Sequence, residues 1–127
     1  MVDSDELLFE PVPESAAAAR RFIEKVLRRW NRAAYLTDAL IVGYELVVNA
    51  IQHARTPAVL RLLRTPRGVR IEVMDRAATL PQAEEPNDLG RANGRGLRMV
   101  AAVACRWGST STAGGKVVWA ELDTLRV

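Results

Sequence analysis

Apolar residues recur at helical spacing in three segments of this chain, and short strand-like segments lie between them. Residues 14–30 predict a first helix with one apolar stripe and a face rich in arginine and lysine. Residues 36–55 predict a second, broadly apolar helix that stops before Pro57, because a residue that precedes proline avoids the helical conformation. Residues 96–105 predict a third helix.

Five short segments bounded by turn sequences predict strands. They are residues 7–12, 59–63, 69–74, 106–111 and 117–122. Pro11 places the first strand at a sheet edge, because proline cannot donate to a strand ladder. Turn sequences at residues 65–68 and 113–116 join the other four strands into two hairpins.

The order of these elements is strand, helix, helix, hairpin, long loop, helix, hairpin. It predicts an α+β fold, a two-layer α/β sandwich with the helices on one face of a mixed, mostly antiparallel sheet. The loop at residues 75–95 is polar and long for so small a domain, which is typical of a functional segment. No repeat or linker divides the chain, so residues 1–127 are expected to form one domain with its core at about residues 8–123.

The composition is that of a globular protein, with 127 residues of which 49% are hydrophobic. A single cysteine, Cys105, and a single histidine, His53, exclude an intrachain disulfide and a cluster of cysteine and histidine metal ligands. The acidic start of the chain does not resemble a signal peptide, and no apolar run approaches the ~20 residues of a membrane span. These features predict a cytoplasmic protein without a membrane partner.

The formal net charge is +3, and the densest basic cluster lies on the first predicted helix. The cluster consists of Arg20, Arg21, Lys25, Arg28, Arg29 and Arg32. We interpret it first as a solvated helix face and second as a surface for an acidic protein partner. A basic nucleic-acid-binding protein is a third hypothesis, ranked below these because the chain has few aromatic residues to stack on bases.

Polar residues interrupt the apolar second helix at a regular spacing. Glu45, Asn49 and His53 are four residues apart and therefore lie along one stripe. Burying a carboxylate and a carboxamide is costly without polar partners, so a polar group is expected to face them. An Asn carbonyl suits the oxygen shell of Mg²⁺, and a Glu one turn away suits proton transfer. The alternative is that these side chains face solvent or neighbouring backbone.

Three further features fall at predicted strand or helix ends. Asp75 is placed to accept a hydrogen bond from an exocyclic amine, although aspartate is also a common turn residue. The glycine-rich segment from Gly90 to Leu97 opens the third helix, where backbone N–H groups bind phosphates, but it lacks Rossmann or Walker A spacing. Lys116 follows two glycines, and a tight hairpin turn explains it better than a phosphate contact.

Taken in this order, the features resemble the histidine-kinase-like (GHKL) ATPase superfamily. Residues 45–54 look like its N-box, Asp75 looks like the aspartate of its first glycine box, and residues 94–97 look like its second glycine box. The small chain and its closing segment, residues 106–121, resemble the stand-alone bacterial anti-sigma-factor serine/threonine kinases. The resemblance covers about residues 8–123.

The resemblance implies ATP and Mg²⁺ as cofactors. Asn49 would coordinate Mg²⁺, Glu45 would be the general base for the incoming hydroxyl, and Asp75 would bind the adenine amine. The nucleotide-binding set implied in this way is Asn49, His53, Asp75, Ala77, Gly90, Gly94, Arg95, Gly96 and Leu97. The implied function is transcription regulation by an anti-sigma factor that phosphorylates an antagonist protein and also binds a sigma factor. A homodimer and no direct contact with nucleic acid are also implied.

One motif departs from the family pattern. The first glycine box of the family is Asp-x-Gly-x-Gly, but this chain has Asp75-Arg76-Ala77-Ala78-Thr79. Ala77 restricts the backbone φ angle where the family has glycine close to the adenine. The departure therefore leaves open a second hypothesis, a partner-binding module of the same fold with weak or no ATP binding.

Overall fold

A computed structural model of the protein describes residues 3–76 and 92–124, with only the backbone described over 92–96. These residues form three α-helices, a short 3-10 turn and five strands. The helices are α1 (Glu14–Arg29), α2 (Leu36–His53) and α3 (Ala92–Val103). The strands are β1 (Ser4–Phe9), β2 (Ala58–Arg64), β3 (Gly68–Asp75), β4 (Arg106–Thr112) and β5 (Gly115–Asp123).

The five strands form one sheet in the order β1-β2-β3-β5-β4, and each pairing is antiparallel. Buried and less buried residues alternate along β2, β3 and β5. Period-two alternation buries one face of each strand, and on that side the sheet packs against α1 and α2. The predicted α+β sandwich with helices on one face of the sheet is confirmed.

Most element ends differ from the expected ones by one or two residues, and the differences at β1, at α3 and at the last turn matter most here. The strand β1 covers Ser4–Phe9 rather than residues 7–12, so Pro11 follows the strand and is not the cause of its edge position. The helix α3 begins at Ala92 rather than at residue 96. The last turn contains only Ala113 and Gly114, because β5 already begins at Gly115. Propensity identifies elements better than it locates their ends, since pairing with neighbouring strands extends or shortens them.

The core lies between the sheet and the helix pair α1–α2. Its most deeply buried large side chains include Ile23 and Leu27 of α1, Leu46 of α2 and Ile71 of β3. Gly43 lies where the two helices cross, and a Cβ at this position would meet the Ile23 Cδ1 atom at 2.3 Å. The glycine therefore allows close packing of the two helices, although glycine is a poor helix former in mid-helix.

The region Ala33–His53 is the most apolar helical stretch in the described part of the chain. Its mean hydropathy over 18 residues is 1.3, so by length and composition alone it is able to cross a membrane. The expectation that no segment approaches a membrane span was therefore too strong. The same test is passed by core helices of soluble proteins, and α2 packs against α1, α3 and the sheet.

The basic cluster of α1 is partly engaged within the protein. Arg28 lies 3.5 Å from Glu24, and Arg29 forms an ion pair with Asp5 of β1. Arg32 donates to the backbone carbonyl of Thr65 at 3.1 Å and so ties the end of α1 to the β2–β3 turn. These contacts reduce the positive charge that α1 offers to a polyanion, which favours the solvated-face interpretation over nucleic-acid binding.

The face of the sheet that the helices leave open carries a connected group of charges. Glu121 of β5 accepts hydrogen bonds from Arg70 of β3 at 2.7 Å and from Arg106 of β4 at 2.6 Å. The Arg70 guanidinium lies 4.2 Å from the centre of the Trp119 ring, a cation–π distance. Burial by itself raises the pKa of Glu121, but the hydrogen bonds from Arg106 and Arg70 outweigh it and lower this pKa.

We expect Glu121 to make the stability of the fold sensitive to acid. Since its folded pKa is lowered, its contribution is present above the ordinary glutamate pKa of about 4.3 and is lost as pH falls through the folded value. Urea unfolding at pH 6 and pH 3 measures this contribution. The wild type is expected to lose more free energy of unfolding over that interval than Glu121→Gln; equal losses would contradict the prediction.

Candidate functional site

Helix α2 carries the predicted stripe of three polar residues, and their side chains are buried to different depths. Glu45 is half-buried, Asn49 is only 6% exposed, and His53 is exposed as the last residue of the helix. Within the described residues, the Asn49 side-chain oxygen Oδ1 is fully buried and accepts no hydrogen bond. No polar partner of this oxygen is present among the described residues, although a buried oxygen without a hydrogen bond costs about 1–3 kcal/mol, so a polar group facing Asn49 stays a prediction.

This oxygen without a hydrogen-bond partner suits either a Mg²⁺ ion or a water molecule bound to a phosphate. Mg²⁺ takes oxygen ligands and usually keeps several waters, so one protein carbonyl is enough to anchor it beside a triphosphate. A site built only from side chains is not indicated, since the described residues hold no group of three or more histidine, cysteine, aspartate or glutamate side chains. Asn49 is therefore the residue that would hold the ion.

Glu45 lies one turn before Asn49 and borders a groove between α1 and α2. The groove has a volume of about 730 Å³ and a mostly apolar lining. Exposed side chains at its edge include Tyr44 of α2 and Met99 of α3, which are 53% and 41% exposed. Arg20 of the basic cluster also lines it. Glu45 therefore lies one helical turn from the buried Asn49 and also contributes to the lining of the groove.

Asp75 ends β3 on the helix-covered face of the sheet and is 7% exposed. Its neighbour across the β3–β5 pairing is Lys116, whose side-chain nitrogen lies 3.6 Å from the Asp75 carboxylate. Nothing in the sequence analysis connected these two residues. The sequence signal that could have placed Lys116 on the buried face is the alternation of side chains along β5. In this alternation Lys116 shares its face with the buried Val118, Ala120 and Leu122.

The second glycine box lies in the first part of α3. Gly94, Arg95 and Gly96 fall within the helical range that begins at Ala92, so the segment is already helical where a loop was expected. Leu97 is buried and belongs to the core cluster rather than to an open surface. Ala77 and Gly90 lie outside the described residues.

The fold defines a class of protein: an α/β sandwich in which a central helix that carries the buried Asn49 packs against the inner strands β3 and β5. The sequence profile of the Histidine kinase-like ATPase domain family matches residues 9–122. The chain therefore belongs to this family. No curated protein gives a significant match to the chain. Membership supports an ATP-binding, kinase-like domain with a regulatory function.

Proposed function

We propose that this chain is an anti-sigma factor that binds Mg-ATP and phosphorylates a serine or threonine of an antagonist protein. The single observation that carries ATP binding is the buried Oδ1 of Asn49, which accepts no hydrogen bond within the described residues. A bound ligand that supplies a partner to this oxygen would remove the cost of burying it, which supports the proposal. The proposed role as an anti-sigma factor with kinase activity rests on the resemblance of the small chain to the stand-alone bacterial anti-sigma-factor serine/threonine kinases.

Three of the described residues, Asn49, Asp75 and Glu45, have roles in the proposed reaction. Asn49 would hold Mg²⁺, which would supply positive charge beside the phosphates, and Asp75 would accept a hydrogen bond from the adenine amine. Glu45 accepts the proton of the incoming hydroxyl, because it borders a groove that is open to a partner segment. Phosphoryl transfer requires chiefly positioning and charge neutralisation, so a single carboxylate base is sufficient on the protein side.

The proposed partners are a sigma factor, the antagonist protein and a second copy of the chain, in the cytoplasm. Arg20, Arg21 and Lys25 of the basic cluster are exposed on α1, and Arg20 lines the groove. An acidic protein surface would complement them.

The second candidate is a partner-binding module that has lost catalysis. It is favoured by Ala77 in place of a family glycine and by the Lys116 contact, which already occupies the Asp75 carboxylate. In this case the groove and the basic helix still bind protein, but Mg-ATP does not. Partner binding that is indifferent to nucleotide and to Asn49→Ala would support it.

Calorimetric titration of Mg-ATP tests the proposal. We expect Asn49→Ala to weaken binding at least tenfold, because it removes the oxygen that anchors Mg²⁺, an effect of about 1.4 kcal/mol or more. Gln52→Ala is the matched control, since Gln52 carries the same amide group on the exposed side of α2. No binding to the wild type at millimolar ATP, or equal binding by all three proteins, would contradict the proposal.

A further inference from the structure

The face of the sheet opposite the helices carries rows of side chains that run across all five strands. The side chains on this face alternate with the buried core positions of β2, β3 and β5. The strand register places five uncharged side chains in the first row, which consists of Leu8, Val59, Met74, Val117 and Thr110. Leu8, on the edge strand β1, is 68% exposed. An uncovered apolar row is typical of an interaction surface.

The next two rows contain six charged side chains whose signs alternate across the sheet. An acid lies on β1, an arginine on β2, one of each on β3, an acid on β5 and an arginine on β4, namely Glu6, Arg61, Arg70, Glu72, Glu121 and Arg106. The ion pairs between adjacent strands have N–O distances of 2.6–3.8 Å. These two rows are therefore neutral, so they offer no excess charge to a nucleic acid or to an acidic protein.

The order of the signs makes this face complementary to a second copy of itself. In an isologous dimer the same surface meets itself across a two-fold axis. An axis parallel to β3 reverses the strand order, so β1 faces β4 of the second copy and β2 faces its β5. The acid of β1 then faces the arginine of β4, and the arginine of β2 faces the acid of β5. The members of each pair are offset by two residues, about 7 Å, which long side chains span.

The other two-fold axis in the plane of the interface is perpendicular to the strands, and it gives a poorer match. It places each strand on its own copy, so Glu6 faces Glu6 and Arg61 faces Arg61. It also places the uncharged row on a charged row. Like charges in contact are costly, so the charges favour the axis parallel to β3.

The size of the face is sufficient for a specific dimer. Five strands about 4.8 Å apart and three rows about 7 Å apart cover roughly 500 Å² of each protomer. A dimer would then bury about 1,000 Å² in total, the lower limit for a specific interface.

We infer that two copies of the chain form a homodimer through this open sheet face, with β3 against β3 and the two-fold axis parallel to that strand. The inference deepens the proposed function, of which a second copy of the chain is part, and it does not depend on ATP binding. The helices, with the groove between α1 and α2, lie on the other side of each sheet. Both grooves therefore stay open to a partner in this dimer.

Sedimentation of the nucleotide-free protein over a concentration series tests the inference by exchanging charges. We expect Glu6→Arg and Arg106→Glu each to weaken dimerisation about hundredfold, since each reverses two symmetry-related contacts worth about tenfold apiece. The double variant should recover dimerisation. So should an equimolar mixture of the two single variants, because both contacts of the mixed dimer then join an arginine to a glutamate. Within one protomer these residues lie on opposite edge strands, about 19 Å apart, so recovery arises only between protomers.

The uncharged row provides a second variant that leaves the charged rows intact. Leu8→Glu adds a charge at a position that is 68% exposed, so it should fold normally and remain monomeric. Met99→Glu is the matched control on α3, where the side chain is 41% exposed, and should dimerise like the wild type. If Arg106→Glu does not fold, this comparison still decides the matter.

The outcomes separate this inference from the proposed function. A wild-type dimer that is unaffected by the single charge reversals and by Leu8→Glu would overturn the open face as the interface, and so would a double variant and a mixture that stay monomeric. ATP binding would stand in either case. A wild type that is monomeric throughout the series would overturn the homodimer as well, while the titration of Mg-ATP would still test nucleotide binding.

Discussion

Replacing Glu45 by Gln is expected to lower phosphoryl transfer by about 10²–10⁴-fold, the usual contribution of a positioned general base. The substitution keeps the shape of the side chain and removes its negative charge and with it the ability to accept a proton. Glu45 is half-buried beside the groove rather than in the core, so the fold and the affinity for Mg-ATP should change little. The measurement is transfer of labelled γ-phosphate from ATP to purified antagonist proteins that carry a serine or threonine acceptor.

The control for this prediction is Glu24→Gln, which neutralises a carboxylate on α1 that lies 3.5 Å from Arg28. It should transfer phosphate at the wild-type rate. A Glu45→Gln protein that binds Mg-ATP normally and retains the wild-type rate would remove Glu45 from catalysis. A wild type that binds Mg-ATP but labels no antagonist would instead favour the partner-binding module.

Replacing Gly115 by Ala is expected to destabilise the fold by about 3 kcal/mol, at the upper end for added atoms in a packed site. A Cβ at this position would meet the Asp75 carbonyl oxygen at 1.8 Å and the Arg76 Cα atom at 2.7 Å. Both are backbone atoms, so no side-chain rotation relieves the clash, and the β3–β5 pairing must separate. Thermal unfolding should show a fall in Tm of about 10 °C.

The adjacent glycine provides a matched control in the same hairpin. A Cβ at Gly114 meets no atom within 4 Å, and no glycine among the described residues has a positive φ angle. Gly114→Ala should therefore change stability by no more than about 0.5 kcal/mol. Equal stability of the two variants would show that the strand ends are not held as closely as the structure indicates. Gly115→Ala should also weaken Mg-ATP binding, because it displaces Asp75.

Much of the fold was predictable because local patterns determine which face of each element is buried. Helical spacing identified α1 and α2 within about two residues of their bounds, and turn sequences identified both hairpins. The position of β4 at the sheet edge also has a sequence signal, since its residues are mostly polar while β5 alternates with apolar ones. The remaining errors, at β1 and α3, concern element ends, where pairing and packing override local preference.

The candidate site was predictable only in part. The spacing of Glu45, Asn49 and His53 along α2 follows from helix geometry, and the family resemblance rests on those residues. The pairing of Lys116 with Asp75 did not follow, because it depends on which strands become neighbours and in what register. The two residues are distant in the sequence, and the strand between them in chain order, β4, lies on the far side of β5.

The sequence by itself determined the amphipathic elements, the α+β class and the residue types that suit a magnesium-nucleotide site. These properties depend on side-chain chemistry and on periodicities that repeat within a few residues. Only the tertiary structure decided that the Asn49 oxygen is buried without a hydrogen-bond partner in the described residues and that Lys116 is buried against Asp75. Both facts arise from desolvation and long-range strand pairing, which act between segments far apart in the chain.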